Sequence, residues 1–399
     1  MILRPLGITA GVALAAVALT GCVANNPGGT TAAKTGTTIT VAATDSTCKP
    51  SATSAPSGAV TFTMTNKGSD NSEFEILAAD GLRIVSEKEN IGPGTTGSLT
   101  AQLTPGDYFA ACIPGLVGEG QRSKFTVTDS GKTVSASGTE KQQIAAADKA
   151  YVGYIKDQTG QLVEGTKTFL AAYLAGDTAA AKKLYPSVRA HYERIEPVAE
   201  SFGALDPKLD NRAADLDKGE AWTGWHRIEK DLFAPTAAVP GSTTSYGPLT
   251  PAEKKELGAK LTENTQELYT EVTAPSFTVG LDTIANGAVG LMDEVATSKI
   301  TGEEETWSHT DLYDFQANLE GAQVAYEGVR AILLTRDKAL AKELDTEFAS
   351  LDKLLAGYGS LDTSYPSYTT LTTADKKALS DGVNALSEPL SKLTAALLG

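Results

Sequence analysis

The sequence predicts a multidomain protein, a small all-β sandwich or barrel followed by an all-α helical bundle. Two observations carry this. From Thr38 to Thr128 apolar and polar residues alternate with period two, whereas from about Ile144 to the C-terminus the apolar period is helical. The stretch between them, "DSGKTVSASGTEKQQ", has no apolar period and reads as a linker, residues 129–143. A length of 399 residues also exceeds what one hydrophobic core normally serves.

Taken in order, the chain opens with "MILRPLGITAGVALAAVALTGC", a short positive start at Arg4 followed by an apolar run from Leu6 to Leu19. The run is too short and too rich in small residues for a comfortable membrane span, so residues 1–21 read as a secretory signal. Its end, Leu19 to Cys22, resembles the bacterial lipobox, which implies cleavage before Cys22 and lipidation of its thiol. Residues 22–37, rich in Gly, Thr and Asn, suit a flexible tether. The expected location is therefore extracytoplasmic, periplasmic or at the cell surface, anchored to the outer face of the cytoplasmic membrane.

In residues 38–128 the segments "TITVAA", "AVTFTMTN", "SEFEIL" and "SKFTVTD" alternate, with Gly, Pro, Asn and Asp between them. Val60, Phe62 and Met64 share one face, which makes Met64 a core residue. In residues 144–399 the last helix has apolar steps at Leu379, Val383, Leu386, Leu390, Leu393 and Leu397, with a kink expected at Pro389. "TPAE" places Thr250 at an N-cap, Pro251 at the first helical position and Glu253 in a capping box. Residues 234–249 form a Pro/Gly-rich loop.

The charge balance, 49 Asp+Glu against 34 Lys+Arg for a net −15, argues against nucleic acid or an anionic membrane surface as partner. It suits either solubility or the gathering of cations. With Cys22 set aside, Cys48 and Cys112 fit a disulfide or a metal-ligand pair equally well. The three histidines are His191, His226 and His309. On a helix, Trp222, His226, Glu229 and Phe233 fall on one stripe beside the apolar stripe of Trp225, Ile228 and Leu232. His226 and Glu229 therefore point together among aromatic residues, as a hydrogen-bonded core pair or as two ligands of one ion. A zincin would need His-Glu-x-x-His, and no second His stands within a turn of His226.

"PGDYFAACIPGLVGEGQRSKFTV" resembles the last hairpin of a cupredoxin, and "SDNSEFEIL" stands where that family carries its first His ligand. The region holds no His, so a blue-copper site is excluded by residue inventory. What remains is an acidic edge of Glu73, Glu75, Glu87, Glu89 and Asp107, hard oxygen donors that suit ferric iron, whereas a Cys48/Cys112 thiolate pair would suit copper. "WTGWHRIEKDLF" matches the Gly-x-His-x-x-Glu signature of the imelysin-like peptidases. With "YPSVRAHYERIEPVAESFGALDPKLDNR" and "KITGEEETWSHTDLYDFQANLEGA", it resembles the EfeO family of iron-uptake components, which join a cupredoxin-like sandwich to an imelysin-like all-α domain.

That resemblance implies an iron-binding transport component rather than a peptidase. His226 and Glu229 are the metal-binding pair it implies. Further ligands would come from His309, Asp311, Asp314 and Glu320 or from His191, Glu193 and Glu196. The implied cargo is iron, Fe2+ or Fe3+, with copper or zinc as alternatives. The implied partners are a membrane iron permease and a haem-peroxidase-like protein. Competing expectations are a solute-binding protein for an acidic polysaccharide and a metal-dependent peptidase.

Overall fold

The computed structural model describes residues 37–116, 118–131, 139–216, 221–234 and 248–398. The signal segment, Cys22, most of the tether, most of the 234–249 loop and the Glu89 side chain lie outside them.

The first domain is a two-sheet sandwich. One sheet has the order β2 (Thr47–Pro50), β1 (Thr37–Thr44), β4 (Gly58–Asn66), β7 (Thr96–Leu103). The other has the order β3 (Ser54–Pro56), β9 (Gln121–Thr128), β8 (Gly106–Pro114), β5 (Ser72–Leu77), β6 (Ile84–Ile91). The four alternating segments become β1, β4, β5 and β9; β1, β4 and β9 bury alternate residues against the facing sheet, whereas β5 is buried on both faces from Phe74 to Leu77. Val60, Phe62 and Met64 are fully buried, and Phe62 packs against Phe74 and Phe125 from the opposite sheet. Cys48 on β2 and Cys112 on β8 form a disulfide that staples the two sheets. The question left open by the sequence is thereby answered: neither sulfur is a thiolate, so the expectation of Cys48 and Cys112 as metal ligands is corrected.

The second domain is helical. Its helices are α1 (Glu140–Ala175), α2 (Thr178–Glu193), α3 (Leu205–Asp210), α4 (Trp225–Phe233), α5 (Pro251–Thr273), α6 (Leu281–Thr297), α7 (Asp311–Arg336), α8 (Lys338–Ala356), α9 (Thr373–Leu390) and α10 (Leu393–Leu398). The Thr250/Glu253 capping box opens α5 with Pro251 at its start. The six apolar residues from Leu379 to Leu397 are all buried, but Pro389 does more than kink the helix. The chain leaves α9 at Leu390 and restarts as α10 at Leu393. The sandwich does not stand apart: Leu82, from its β5–β6 connection, belongs to the apolar core of the helical domain.

Candidate metal centre

Helix α4 is only nine residues long and carries the centre. It starts at Trp225, so Trp222 precedes it and does not extend the expected stripe; the Trp222 indole N–H instead donates to the Asn211 carbonyl at 2.7 Å. Trp225 and Ile228 are fully buried and Leu232 nearly so, which fixes the rotation of the helix. The entry to α4 depends on Gly224. Its φ of +84° is a left-handed conformation, and a Cβ there would strike the Leu209 carbonyl oxygen. That close approach brings Asp210, the last residue of α3, to the face of α4 that carries His226.

His226 and Glu229 are both fully buried. Glu229 is held from two sides. Its Oε1 accepts from the backbone N–H groups of Trp307 (2.9 Å) and Ser308 (2.7 Å), and its Oε2 lies 3.3 Å from His226 Nδ1. The other ring nitrogen, Nε2, faces Glu304 Oε1 at 3.4 Å and Asp210 Oδ1 at 3.5 Å, with neither oxygen aligned for a hydrogen bond. A carboxylate on one imidazole nitrogen, leaving the other directed at oxygen donors, is the arrangement by which proteins orient a metal-ligating histidine. The sequence made Glu229 a ligand; both of its oxygens are engaged, which suits it to orienting His226.

Two groups of three potential ligands share His226: Asp210, His226 and Glu304, and His226, Glu229 and Glu305. Within each, one potential ligand atom per residue lies within 4.8 Å of the others. Around them the domain buries Glu193, Asp311 and Asp314 and partly buries Glu196. The opposing cations are Arg189, which contacts Glu193, Asp210, Glu304 and Glu305, and Lys299, which contacts Glu193 and Glu196. Carboxylates outnumber cations here even with His226 charged, so the interior must take up protons or a metal cation.

The titration pattern shows where that charge is compensated. Burial and Arg189 oppose the charged imidazole, but Glu229, Glu304 and Asp210 outweigh them and raise His226 to about 10. Burial opposes ionisation of Glu304, yet Lys299, His226 and Arg189 hold it well below the carboxylate range. Glu193 is likewise lowered, Arg189 and Lys299 overcoming its burial. Glu305 is pushed well up by burial and the Glu229 charge, Asp314 by burial and Glu305, and Glu196 by burial and Glu193. Burial raises Asp311 to about 7. Asp314 is the extreme case, fully buried with a hydrogen-bond donor on neither oxygen.

The centre is not sealed. A cleft of about 730 Å³ reaches Asp210 and Glu304 and is walled by Glu196, Asp206, Asp215 and Glu294, with Arg212 at its side. Such a wall concentrates cations and repels anions.

Other expected ligands lie elsewhere. Glu320 pairs with Arg194 at 2.8 Å, and His191 Nδ1 lies 3.0 Å from the Gln158 amide oxygen. His309 has a φ of +56° and joins no group of three potential ligands among the described residues. Asp107 accepts from the Thr126 hydroxyl at 2.8 Å near the start of β8, the opposite end from Cys112. Glu73 does belong to a second acidic group, with Glu75 and Glu87. Sequence reasoning missed Asp210, Glu304 and Glu305 as ligands and Arg189 and Lys299 as their counter-charges. The run Glu303–Glu304–Glu305 was the available signal, although acidic runs usually face solvent.

Comparison with known proteins agrees with this organisation. The imelysin (Peptidase M75) family matches residues 147–393, and the cupredoxin-like domain family matches residues 11–127. An iron uptake system component EfeO from Yersinia pestis is 38% identical over 362 residues, covering 90% of this chain and 91% of its own. One from Escherichia coli K12 is 37% identical over 373 residues, covering 90% and 91%.

Proposed function

The chain belongs to the EfeO family, and from that premise we propose that it captures an iron ion outside the cytoplasm and passes it to a membrane permease. His226 Nε2, Asp210 and Glu304 are the ligands at which the ion docks from the acidic cleft. Glu229 fixes the imidazole with Nε2 outward. The single observation that carries this reading is His226 Nε2, fully buried, lacking an aligned hydrogen bond and facing two carboxylates.

The donor set of one imidazole nitrogen and carboxylate oxygens suits iron in either oxidation state better than a soft ion. Zinc fits the same donors, and copper is the less favoured alternative now that the sulfurs form a disulfide. Capture exchanges protons for the ion: His226 must lose its proton, and neighbouring carboxyls held neutral by burial can ionise beside the new charge. Export through the 1–21 signal, anchoring by a lipid on Cys22 and cooperation with a haem-peroxidase-like partner complete the proposal. No helix among the described residues is long and apolar enough to cross a membrane, which is compatible with attachment by an anchor.

Anaerobic calorimetric titration of the full chain with Fe2+, and with chelated Fe3+ in air, tests the reading. Wild-type protein is expected to bind, and His226→Ala to lose that binding while keeping its melting transition. Unchanged iron affinity in His226→Ala would refute it.

A further inference from the structure

The two carboxylates that face His226 Nε2 come from different parts of the chain, Asp210 from the end of α3 and Glu304 from the turn before α7. Local sequence does not fix the distance between them, yet one ion has to meet both. Arg212, two residues after Asp210, ties their segments together from the solvent side. Its Nε and Nη2 lie 2.8 and 3.3 Å from the two oxygens of Asp215. Its Nη1 donates to Glu304 Oε2 at 3.1 Å and to Glu303 Oε1 at 3.2 Å. The backbone between Arg212 and Asp210 is itself held, because the Asn211 carbonyl accepts from the Trp222 indole.

Arg189 also touches both carboxylates, but from the inside and through other atoms. It contacts Asp210 Oδ1 and, at 2.9 Å, Glu304 Oε1, the same two oxygens that face Nε2. An ion binding there must take those oxygens from Arg189. Arg212 holds Oε2, the oxygen of Glu304 turned away from Nε2, so its grip and the ion are compatible. Arg212 and Asp215 also line the cleft, where the arginine side chain is 22% exposed. The route to the ion passes this strap.

We infer that Arg212 is a positioning residue: by holding Glu304 Oε2 it keeps Oε1 turned toward Asp210 and His226 Nε2, and so prolongs the stay of the bound ion. The inference rests on the iron-capture reading. Its effect is opposite in sign to that of the arginine's charge. A cation beside the site repels the ion, so on charge alone the loss of Arg212 slows release. On the positioning account the same loss frees Glu304 to turn away, and release quickens. Lysine separates the two accounts. It keeps the charge, but its single ammonium cannot reproduce the planar fork that spans Asp215 and Glu304.

Release of Fe2+ from the loaded full chain, mixed anaerobically with excess ferrozine in a stopped-flow cell, tests this as the coloured chelate forms. Release is expected to be about 10- to 100-fold faster in Arg212→Met, the usual scale for an outer-shell partner, and several-fold faster in Arg212→Lys. Asp215→Asn, which loosens the far anchor of the fork, is expected to fall between wild type and Arg212→Met. Release at or below the wild-type rate in Arg212→Met overturns the inference, as does a wild-type rate in Arg212→Lys. Should Arg212→Met lose its melting transition, Asp215→Asn decides, and a wild-type rate there overturns the inference. His226→Ala, run alongside, reads the premise. If it holds and releases iron as wild type does, the function proposed above fails and this inference with it. If it holds none while Arg212→Met releases at the wild-type rate, this inference fails alone.

Discussion

Replacing Glu229 by Gln tests how the His226 centre is built. The amide oxygen of Gln keeps the Oε1 position, because only an acceptor satisfies the Trp307 and Ser308 N–H groups. Its NH2 group then faces His226 Nδ1, which lies 3.3 Å from the Glu229 carboxylate in the native protein. Nδ1 must become the acceptor, and the ring proton moves to Nε2, the nitrogen directed at Asp210 and Glu304. The lone pair needed for the metal is thereby blocked without any loss of volume. Outer-shell changes of this kind typically cost about 10- to 100-fold in metal affinity, or roughly 1.4–2.8 kcal/mol. Calorimetric titration with Fe2+ under anaerobic conditions reads the change, with a melting curve to show that the fold is kept. Glu304→Gln, which removes a ligand and its charge, is expected to lose more. Binding in Glu229→Gln within about twofold of wild type would refute the orienting role, since the tautomer argument requires at least tenfold.

Metal binding should release protons and tighten as pH rises. Titration in buffers of different ionisation enthalpy measures this, because the proton on His226 and those on the neutral carboxyls compete with the ion. In the metal-free protein, Asp311 ionises near 7 when folded and near 3.8 when unfolded, so it stabilises below about pH 4 and loses that contribution as pH rises through 7. Asp311→Asn is therefore expected to match wild type at pH 4 and to exceed it by about 2–4 kcal/mol at pH 8 in denaturant melts. Gly224→Ala should cost upwards of about 2 kcal/mol and abolish iron binding, because the methyl group forces α3 and Asp210 away from α4. Reducing Cys48–Cys112, which closes a loop with a sequence separation of 64, should lower the stability of the sandwich by up to about 4 kcal/mol and leave the His226 ion bound.

The fold was largely legible because both periods are strong. Strands β1, β4, β5 and β9 alternate cleanly, whereas β6 with "IVSEKENI" carries charges on both faces and β2 and β3 are too short to show a period. At the centre, His226 and Glu229 could be recognised because three residues of helix bring them together wherever the rest of the chain lies. Asp311, Asp314, Glu193 and Glu196 were reached as neighbours of quoted motifs, and the fold buries the first three and partly buries Glu196 in the same interior. Asp210 and Glu304 could not be found from spacing. They arrive from α3 and from the turn before α7, through contacts such as Gly224 against Leu209 that local sequence does not encode. The same blindness to long-range geometry placed Glu320 and His309 at the centre when one serves Arg194 and the other a turn.

Lys299 has a consequence for unloading. Under the proposed function, loss of the ion would leave the ionised carboxylates of this interior to be balanced by the protein's own cations. The Lys299 ammonium lies 3.8 Å from Glu304 and also contacts Glu193 and Glu196, so part of the positive charge is tethered and never leaves. Its Nζ is fully buried and held by Glu193, Glu196 and Asn318, so that charge stays beside Glu304. Under the proposed function, an ion entering this centre would have to outcompete only a resident lysine and a few protons.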